Sequence, residues 1–482
     1  MAEILLIDTN TTPFNEAFPV YPIGLDYLQG ALAAAGLGRA RILDLTRAGG
    51  RLEDMAGASL AQRRARSLAL IREALAERTW DLVGLSLRNL DSTYPVGDGD
   101  ASLHHYLPEL LAYCDCVADN AGKDTRVVLG GTGFSIMPQA FLAGRPETWH
   151  GVVGPGENAL VEIAAALDAG AAPPRLVRGR AGTGGAGALG SLQNRALLAA
   201  YLDLPQGEGS FGLRTKSGCG QACGYCPYPV INGPGQTLKP PEAVADEVRL
   251  LGEVHAAHPD RPPLRFMFAD DIFNRPLDHA KAVLGALLAA GLRPASWHAY
   301  LDPANLDEEF LELICRTRGW RAADGQPLMF FPMDIESGSE RMLKALGKPY
   351  RPENLLAAAA TYRRVSRAWV AQGELAAAAL GFHLLLGYPG EDQASVAETC
   401  ALINQARPEQ IAVQLGVRVY PGTPLARRVQ GELWQDEAEL ERPVFVRSDP
   451  DQVLGWLRVH LDPAYDRLAR RGQMLMIGRS GA

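Results

Sequence analysis

The sequence predicts an α/β protein with a doubly wound parallel sheet, followed by a partial (β/α)6 barrel and a small helical C-terminal cap. Three observations predict this order. Short apolar, β-rich runs alternate with longer helical patterns through the first 170 residues, six glycines interrupt the alternation in residues 179–190, and a second alternation begins near residue 207. Strands and helices in alternation form parallel sheets that helices cover on both faces.

The first alternation predicts a Rossmann-like domain over residues 1–178. Its predicted strands are Ile4–Asp8, Ala40–Leu45, Leu82–Leu87, Arg126–Leu129 and Gly151–Val153. Its predicted helices are Gly24–Ala35, Leu60–Glu77, Leu103–Ala118 and Asn158–Asp168. A domain of this kind binds ligands at the carboxyl ends of its strands. Residues 179–206 are predicted to form a Gly/Ala-rich linker, because residues 179–190 contain six glycines and show no periodic apolar face.

The second alternation predicts a TIM-type barrel over residues 207–430. Its predicted strands are Phe211–Thr215, Leu264–Phe268, Ala295–Tyr300, Leu328–Ile335, Ala379–Leu386 and Ile411–Val419. The active site of such a barrel lies at the carboxyl ends of the strands. Residues 431–482 are predicted to form a helical C-terminal extension.

Composition narrows the function classes. The 482 residues carry a net charge of −8, so binding to a phosphate backbone is not expected. No apolar run reaches 18 residues and the start resembles no signal peptide, so we expect a cytoplasmic protein without a membrane partner. Seven cysteines are an odd number at low density, which favours a reducing compartment over a disulfide framework.

The strongest motif is the segment Thr215-Lys-Ser-Gly-Cys219-Gly-Gln-Ala-Cys223-Gly-Tyr-Cys226-Pro, which follows the first predicted barrel strand. Three thiolates on one loop can hold three corners of a cuboidal iron–sulfur cluster and leave the fourth iron open. A structural zinc site normally has four ligands, and no fourth cysteine or histidine lies nearby in the sequence. Zinc binding and chance clustering are the less favoured alternatives.

A CxxxCxxC loop with an aromatic residue before its third cysteine resembles the radical S-adenosylmethionine (SAM) enzymes. The resemblance implies that Cys219, Cys223 and Cys226 ligate a [4Fe-4S] cluster whose open iron is chelated by SAM. It implies that Tyr225 lies near the adenine and that SAM is cleaved reductively to a 5′-deoxyadenosyl radical. An electron donor such as flavodoxin or ferredoxin is then expected as a partner.

The resemblance continues through the ends of later strands and covers roughly residues 208–425. Asp270 and Asp271 follow the second strand, where relatives hold the methionine end of SAM. They replace the commoner Gly-Gly-Glu, so their individual roles are open, and a solvated turn with a helix cap is the alternative.

Three further strand ends carry the same resemblance. Glu336 and Ser337 follow the fourth strand, in a segment like the one that contacts the ribose of SAM in relatives. Gly387 ends the fifth strand and Tyr420 the sixth. Glycines near these strand ends let a backbone approach a flat cofactor closely. The resemblance therefore implies that all four residues contact the cofactor.

The N-terminal half resembles the cobalamin-dependent subfamily of these enzymes. The matching segments are Tyr21-Pro-Ile-Gly24, Leu129-Gly130-Gly131-Thr-Gly-Phe-Ser135 and Val153-Gly154-Pro-Gly156-Glu157. Glycine-rich strand ends form a shallow floor that the nucleotide tail of a corrin can enter. A generic dinucleotide or phosphate pocket is the alternative, although no GxGxxG follows the first strand.

The loop after the third strand is the other expected cobalamin contact. Arg88 and Asn89 lie on it, where they would reach the lower face or the amides of the corrin. No Asp-x-His-x-x-Gly occurs, so we expect cobalamin to be held without a histidine on cobalt. An ion-paired or helix-capping loop is the alternative.

These features predict a cobalamin-dependent radical SAM C-methyltransferase that acts on an unactivated carbon of a small-molecule biosynthetic intermediate. Relatives of this kind use one SAM for the radical and another to methylate cobalamin. The alternatives are a ring rearrangement, cyclisation or oxidation without methyl transfer, and a non-catalytic cobalamin or iron–sulfur sensor. A nucleic-acid-modifying enzyme is a further alternative, although the sequence has no added RNA-binding module and no strongly basic tail. His383 on the fifth barrel strand is either a proton carrier facing the interior or a satisfied core histidine.

Overall fold

The computed structural model describes residues 2–9, 19–37, 39–48, 59–91, 105–179, 189–204, 210–233, 235–258, 260–261, 263–322, 328–471 and 474–480. The described residues form two compact units. One lies within 1–92, 105–218 and 231–262, and the other within 219–230 and 263–482. These units do not coincide with the predicted domains 1–178 and 207–430. The predicted boundaries stay a prediction.

The described strands in chain order are β1 (Glu3–Asp8), β2 (Arg39–Asp44), β3 (Leu82–Ser86), β4 (Arg126–Gly130), β5 (Trp149–Val153), β6 (Leu176–Arg178), β7 (Gly212–Leu213), β8 (Lys216–Ser217), β9 (Thr237–Leu238), β10 (Arg265–Phe268), β11 (Ser296–Ala299), β12 (Leu328–Glu336), β13 (Ala377–Leu386), β14 (Gln410–Leu415), β15 (Val417–Arg418), β16 (Phe445–Val446), β17 (Arg467–Arg471) and β18 (Met474–Gly478).

The described α-helices in chain order are α1 (Ile23–Ala34), α2 (Leu45–Ala48), α3 (Leu60–Ala76), α4 (Leu107–Asn120), α5 (Thr132–Ile136), α6 (Pro138–Leu142), α7 (Glu157–Asp168), α8 (Arg195–Leu202), α9 (Tyr228–Asn232), α10 (Pro241–Ala256), α11 (Leu277–Ala289), α12 (Glu308–Arg316), α13 (Glu340–Leu346), α14 (Pro352–Ala371), α15 (Gln393–Ala406), α16 (Pro424–Val429) and α17 (Pro450–His460). A 3-10 turn spans Glu437–Glu441.

The first unit contains a six-stranded parallel sheet in the order β2-β1-β3-β4-β5-β6. The five predicted strands form its first five members. We did not predict β6, because three residues with two exposed side chains carry little apolar signal. The helix predicted from residue 103 begins at Leu107 in the described part of the chain. Residues 180–188 of the predicted linker lie outside the described residues, and the linker's later part forms α8.

The second unit contains parallel strands in the order β12-β13-β14 and a parallel pair β10-β11. A short segment connects the two sets: the Trp320 N–H donates to the Trp297 oxygen at 2.8 Å, and the Phe330 N–H donates to the Trp320 oxygen at 3.2 Å. The strands therefore follow one another as the βα alternation predicted.

The C-terminal extension contains α17, as expected, and also a β-hairpin that we did not predict. Strand β18 pairs antiparallel with β14, and β17 pairs with β18. Leu475 and Ile477 of β18 are buried while their neighbours are half-buried. A five-residue alternation of this kind is too short to distinguish from a helical pattern in sequence.

Candidate functional site

The three cysteines of the motif lie on one loop between β8 and α9. Cys219 stands between Gly218 and Gly220, whose φ angles are +86° and +71°. Glycine adopts this left-handed backbone without steric cost, so the chain can reverse on both sides of Cys219. The Cys226 N–H donates to the Cys223 oxygen at 3.2 Å, which closes a turn between the second and third cysteines.

Two helix ends hold this loop in place. The Gly224 N–H donates to the Leu346 oxygen of α13 at 2.9 Å, and the Leu425 N–H of α16 donates to the Gly224 oxygen at 2.8 Å. Gly347 ends α13 with φ +75°, and a Cβ added there would lie 2.6 Å from the Ala222 oxygen. The position of the cysteines therefore depends on a close backbone approach at Gly347.

We expect Gly347→Ala to lower the iron content of the reconstituted protein, because the new methyl group would displace the loop at Ala222. Gly373→Ala is the matched control: Gly373 follows α14 with φ +76°, and a Cβ there meets nothing within 4 Å. Both changes cost about 1–2 kcal/mol in backbone strain. Iron determination on both variants separates the effects, and equal iron content would refute the bracing role of Gly347.

The thiols fit an iron–sulfur cluster on chemical grounds. Burial raises the pKa of the Cys223 thiol, and it raises the pKa of the Cys226 thiol to about 12. The thiolate forms therefore need a nearby cation, which iron supplies. Within the described residues no three His, Cys, Asp or Glu side chains form a site for a single metal ion. An iron–sulfur cluster requires a different arrangement of ligands, because each cysteine binds a separate iron.

Tyr225 of the cysteine loop contacts the end of β12. Its hydroxyl donates to Glu336 Oε1 at 2.5 Å, and Lys348 Nζ donates to the same oxygen at 3.0 Å. Lys348 also lies 3.1 Å from the Tyr225 hydroxyl and 5.4 Å from the centre of its ring. The structure thus brings together Tyr225 and Glu336, two residues predicted separately from sequence, and adds Lys348, which we did not predict.

Electrostatics keep Tyr225 neutral and Lys348 charged. Burial raises the pKa of Tyr225 well above its usual value, and the Glu336 carboxylate raises it further. Burial alone would lower the pKa of Lys348, but facing Glu336 raises it well above its usual value, so Lys348 remains a cation. Glu336 has φ +62°, a conformation that costs a non-glycine residue about 1–3 kcal/mol and persists where contacts hold it. Those contacts are Tyr225 and Lys348.

A second network connects the loop to the segment that follows β11, and we did not predict it. The Cys223 thiol donates to Gln221 Oε1 at 3.4 Å, and Gln221 Nε2 donates to Asp302 Oδ2 at 3.2 Å. Asp302 is buried and paired with Arg275, and its N–H donates to Asn274 Oδ1 at 2.8 Å. The Asp302-Pro turn after the third barrel strand was the available sequence signal.

The remaining predicted residues of the second unit lie at the expected strand ends. Asp270 is buried and Asp271 half-buried just after β10. The Ser337 hydroxyl lies 3.2 Å from Thr399 Oγ1 on α15, so it supports the strand end. Gly387 follows β13 with φ +95°, and its N–H donates to Glu391 Oε2 at 2.5 Å. Tyr420 is half-buried beyond β15, with the Arg418 guanidinium 5.0 Å from its ring centre.

In the first unit, the glycine-rich strand ends pack directly on one another. Gly131 has φ +91°, and a Cβ there would lie 2.6 Å from the oxygen of Leu87 after β3. The buried Ser135 hydroxyl donates to the Gly131 oxygen at 2.8 Å and accepts the Gly154 N–H at 3.0 Å. Ser135 therefore connects the ends of β4 and β5, and Gly130 is the last residue of β4.

The same edge of the sheet carries the predicted loop after β3. Arg88 and Asn89 are exposed there, so their side chains are accessible to a ligand. Gly156 precedes α7 and is half-buried. Glu157, the first residue of α7, is buried and forms an ion pair with Arg214. Its predicted cofactor contact stays a prediction, and its described partner is a protein side chain.

Comparison with known proteins shows which family model and which solved structures this chain resembles. Residues 15–164 match the family model described as B12 binding domain. The structure matches the radical S-adenosylmethionine methyltransferase TsrM from Kitasatospora setae, solved with cobalamin and a [4Fe-4S] cluster, with a TM-score of 0.69, 21% identity and coverage of 97% of this chain and 92% of that one. It matches the cobalamin-dependent S-adenosylmethionine radical enzyme OxsB with a TM-score of 0.63, 15% identity and coverage of 94% and 65%.

The sequence relatives align with a smaller share of this chain than the solved structures do. Tryptophan 2-C-methyltransferase from Streptomyces laurentii is 26% identical over 370 residues, which are 61% of this chain and 55% of that protein. A tRNA-2-methylthio-N(6)-dimethylallyladenosine synthase from Mycobacteroides abscessus is 28% identical over 227 residues, 44% of this chain and 39% of that protein. The chain thus spans between 39% and 55% of the length of these two curated relatives.

Strands β2 to β5 of the N-terminal sheet lie within the residues that match the B12 binding domain model. The chain as a whole has the fold of the cobalamin-dependent radical SAM enzymes, which confirms the predicted resemblance and fold class. Within the described part of the chain, no helix has both the length and the apolar character needed to cross a membrane.

Proposed function

We propose that this protein is a cobalamin-dependent radical SAM enzyme that methylates an unactivated carbon of a small-molecule biosynthetic intermediate. The observation that carries the proposal is the braced loop of Cys219, Cys223 and Cys226 in a chain that also has a B12-binding domain. TsrM and the Streptomyces laurentii relative are both described as methyltransferases, which supports methyl transfer over rearrangement.

Residues of this chain would hold each cofactor in a distinct way. The three cysteines would ligate the cluster, and Tyr225, Asp270, Asp271, Glu336, Ser337, Gly387 and Tyr420 would surround SAM. When bound, the cluster and SAM would supply a 5′-deoxyadenosyl radical, and cobalamin a transferable methyl group. Cationic Lys348 would hold the Glu336 carboxylate in place beside Tyr225, and an external electron donor such as flavodoxin or ferredoxin would be required.

The exposed residues at the edge of the N-terminal sheet would hold cobalamin. Arg88 and Asn89 would reach the corrin, and Gly130, Gly131, Ser135, Gly154, Gly156 and Glu157 would form the floor beneath its nucleotide tail. His150 is buried on β5 with Nδ1 3.0 Å from the Pro174 oxygen, and burial lowers its pKa. Its Nε2 is buried within the protein, so His150 is a poor candidate for a cobalt ligand.

We therefore expect the Co(II) form of the bound cobalamin to show no histidine nitrogen coupling in electron paramagnetic resonance. His150→Gln should leave the spectrum unchanged, because the imidazole is buried. A clear histidine-ligated spectrum, or folded protein that binds no cobalamin, would count against the proposal.

Isotope labelling tests the reaction itself. Anaerobically reconstituted protein is incubated with reductant, methyl-labelled SAM and deuterated candidate metabolites. We expect a labelled product that is heavier by one CH2 unit, together with deuterium in 5′-deoxyadenosine. Deuterium transfer without methyl gain would favour rearrangement, and methyl gain without deuterium transfer would favour a polar methylation. If neither occurs with full cofactor loading, the non-catalytic sensor becomes the better explanation.

A further inference from the structure

The pair Asp334 and His383 lies on one face of the β12-β13 sheet and has no role in the cofactor contacts above. The two residues are neighbours in the strand register, and Asp334 Oδ1 lies 2.7 Å from His383 Nδ1. Both occupy the interior of their strands, yet 34% of the Asp334 side chain and 43% of the His383 side chain remain exposed. An exposed ionisable pair in the middle of a sheet marks an open, polar position.

This face is the one directed away from the helices. Phe331 is buried and stacks on Tyr362 of α14 at 4.7 Å between ring centres. Side chains alternate along a strand, so Phe330 and Asp334 lie on the opposite face. Phe330 is 38% exposed, and its ring covers Gly381, where an added Cβ would lie 2.4 Å from the ring. An aromatic surface and the polar pair thus share one open face.

The same face leads to the cysteine loop. Glu336, which binds Tyr225 of that loop, lies two residues beyond Asp334 on β12. The register between β12 and β13 shifts between Asp334 and Glu336. The Glu336 charge still acts on His383, so the Asp334–His383 pair lies close to the group that contacts the loop. A small molecule bound at the pair would therefore be close to the expected site of radical chemistry.

We propose that Asp334, His383 and Phe330 form a substrate-recognition site for a small organic acid with a flat apolar body. Asp334 engages Nδ1 of His383 and leaves Nε2 to donate to the carboxylate of the substrate. Phe330 provides a ring against which the apolar body stacks. This inference rests on the proposed function and specifies the class of its substrate.

The charge on His383 supports this assignment. Burial alone would lower its pKa, but the hydrogen bond and charge of Asp334, with a smaller effect of Glu336, raise it. The register partner on β14 is Ala412, which carries no charge. His383 is therefore cationic below its raised pKa, and binding of a carboxylate should weaken as pH rises through that value.

Binding of simple probes to the reconstituted protein tests the site. We expect phenylacetate to bind at least about tenfold more tightly than phenylacetamide, the ratio typical of a charge-assisted hydrogen bond. Phenylphosphonate tests whether another oxyanion substitutes for the carboxylate. His383→Gln should remove the preference for the acid, Phe330→Ala should weaken both phenyl probes, and His258→Gln in the other unit should change neither.

The pH profile of the wild-type protein provides a readout that does not depend on a variant folding. Affinity for phenylacetate should fall as pH rises, and Asp334→Asn should move that fall to lower pH. Equal binding of acid and amide, a preference that survives His383→Gln, or tight binding of the phosphonate alone would overturn the inference. A change in the protonation of His383 on addition of SAM, but not on addition of phenylacetate, would also overturn the inference.

SAM cleavage, measured on the same preparation, separates this inference from the proposed function. Protein that cleaves SAM but shows no acid preference overturns only the substrate assignment. Protein that shows the preference through His383 but does not cleave SAM overturns only the proposed function.

Discussion

Replacement of Cys219, Cys223 and Cys226 together by alanine is expected to abolish both the iron–sulfur cluster and SAM cleavage. The three thiols lie on one loop, and burial keeps Cys223 and Cys226 protonated in the absence of a cation. Without the thiolates, iron has no ligands at this position, so the loss should be complete rather than partial. Iron and sulfide content, visible absorption and 5′-deoxyadenosine formation measure the effect.

The matched controls are cysteines outside the loop. Cys315 on α12 and Cys400 on α15 are buried, and burial raises the pKa of each to about 12. Cys315→Ala and Cys400→Ala should lower stability slightly and retain the cluster. The proposed cobalamin binding should persist in the triple variant, because residues 15–164, which match the B12 binding domain model, include none of the three cysteines. A cluster that survives the triple change would end the assignment.

Lys239→Met is expected to destabilise the first unit by about 3–5 kcal/mol, the usual result of leaving one partner of a buried ion pair alone. Lys239 Nζ lies 2.8 Å from Glu247 Oε1 on α10, with side chains only 1% and 4% exposed. Tyr27 of α1 donates to Glu247 Oε2 at 2.9 Å, and the Leu192 N–H donates to Oε1 at 3.2 Å. Without Lys239, the Glu247 carboxylate would lose its ion pair and keep the Tyr27 hydroxyl and the Leu192 N–H as donors.

A surface pair on the same helix provides the control. Arg249 and Asp246 of α10 form an ion pair with side chains 46% and 67% exposed, and Arg249→Met should cost about 0–1 kcal/mol. Urea unfolding curves of both variants measure the two free-energy costs. The double variant Lys239→Met with Glu247→Gln should be less destabilised than the sum of the single changes, because it removes both charges. Equal costs at the buried and exposed pairs would contradict the structure.

This buried cluster of charged residues also explains which segments of the chain belong to the first unit. Tyr27 belongs to the helix after β1, whereas Arg214, Lys239 and Glu247 come from the segment predicted to begin the barrel. The Arg214 guanidinium lies 4.8 Å and Lys239 Nζ 4.3 Å from the Tyr27 ring centre. Charges buried in this way must be satisfied together, so these elements form one compact body although a glycine-rich stretch separates them in sequence.

The sequence by itself determined the alternation of the main strands and helices and the position of the loop with three cysteines. Both depend on local information: the period of apolar residues along the chain, and three cysteines within eight positions. Local patterns survive folding because neighbouring residues share one element or one loop. For the same reason the end of β12 could be identified from Glu336 before its contacts with Tyr225 and Lys348 were known.

Only the tertiary structure decided which distant side chains meet. Tyr27 and Glu247 are separated by 220 positions and Asp334 and His383 by 49, and nothing in the composition of either segment specifies its partner. The C-terminal hairpin is a similar case, because β18 becomes a strand by pairing with the open edge of β14. Burial and hydrogen bonding between remote elements determine these pairs, and a linear pattern does not contain that information.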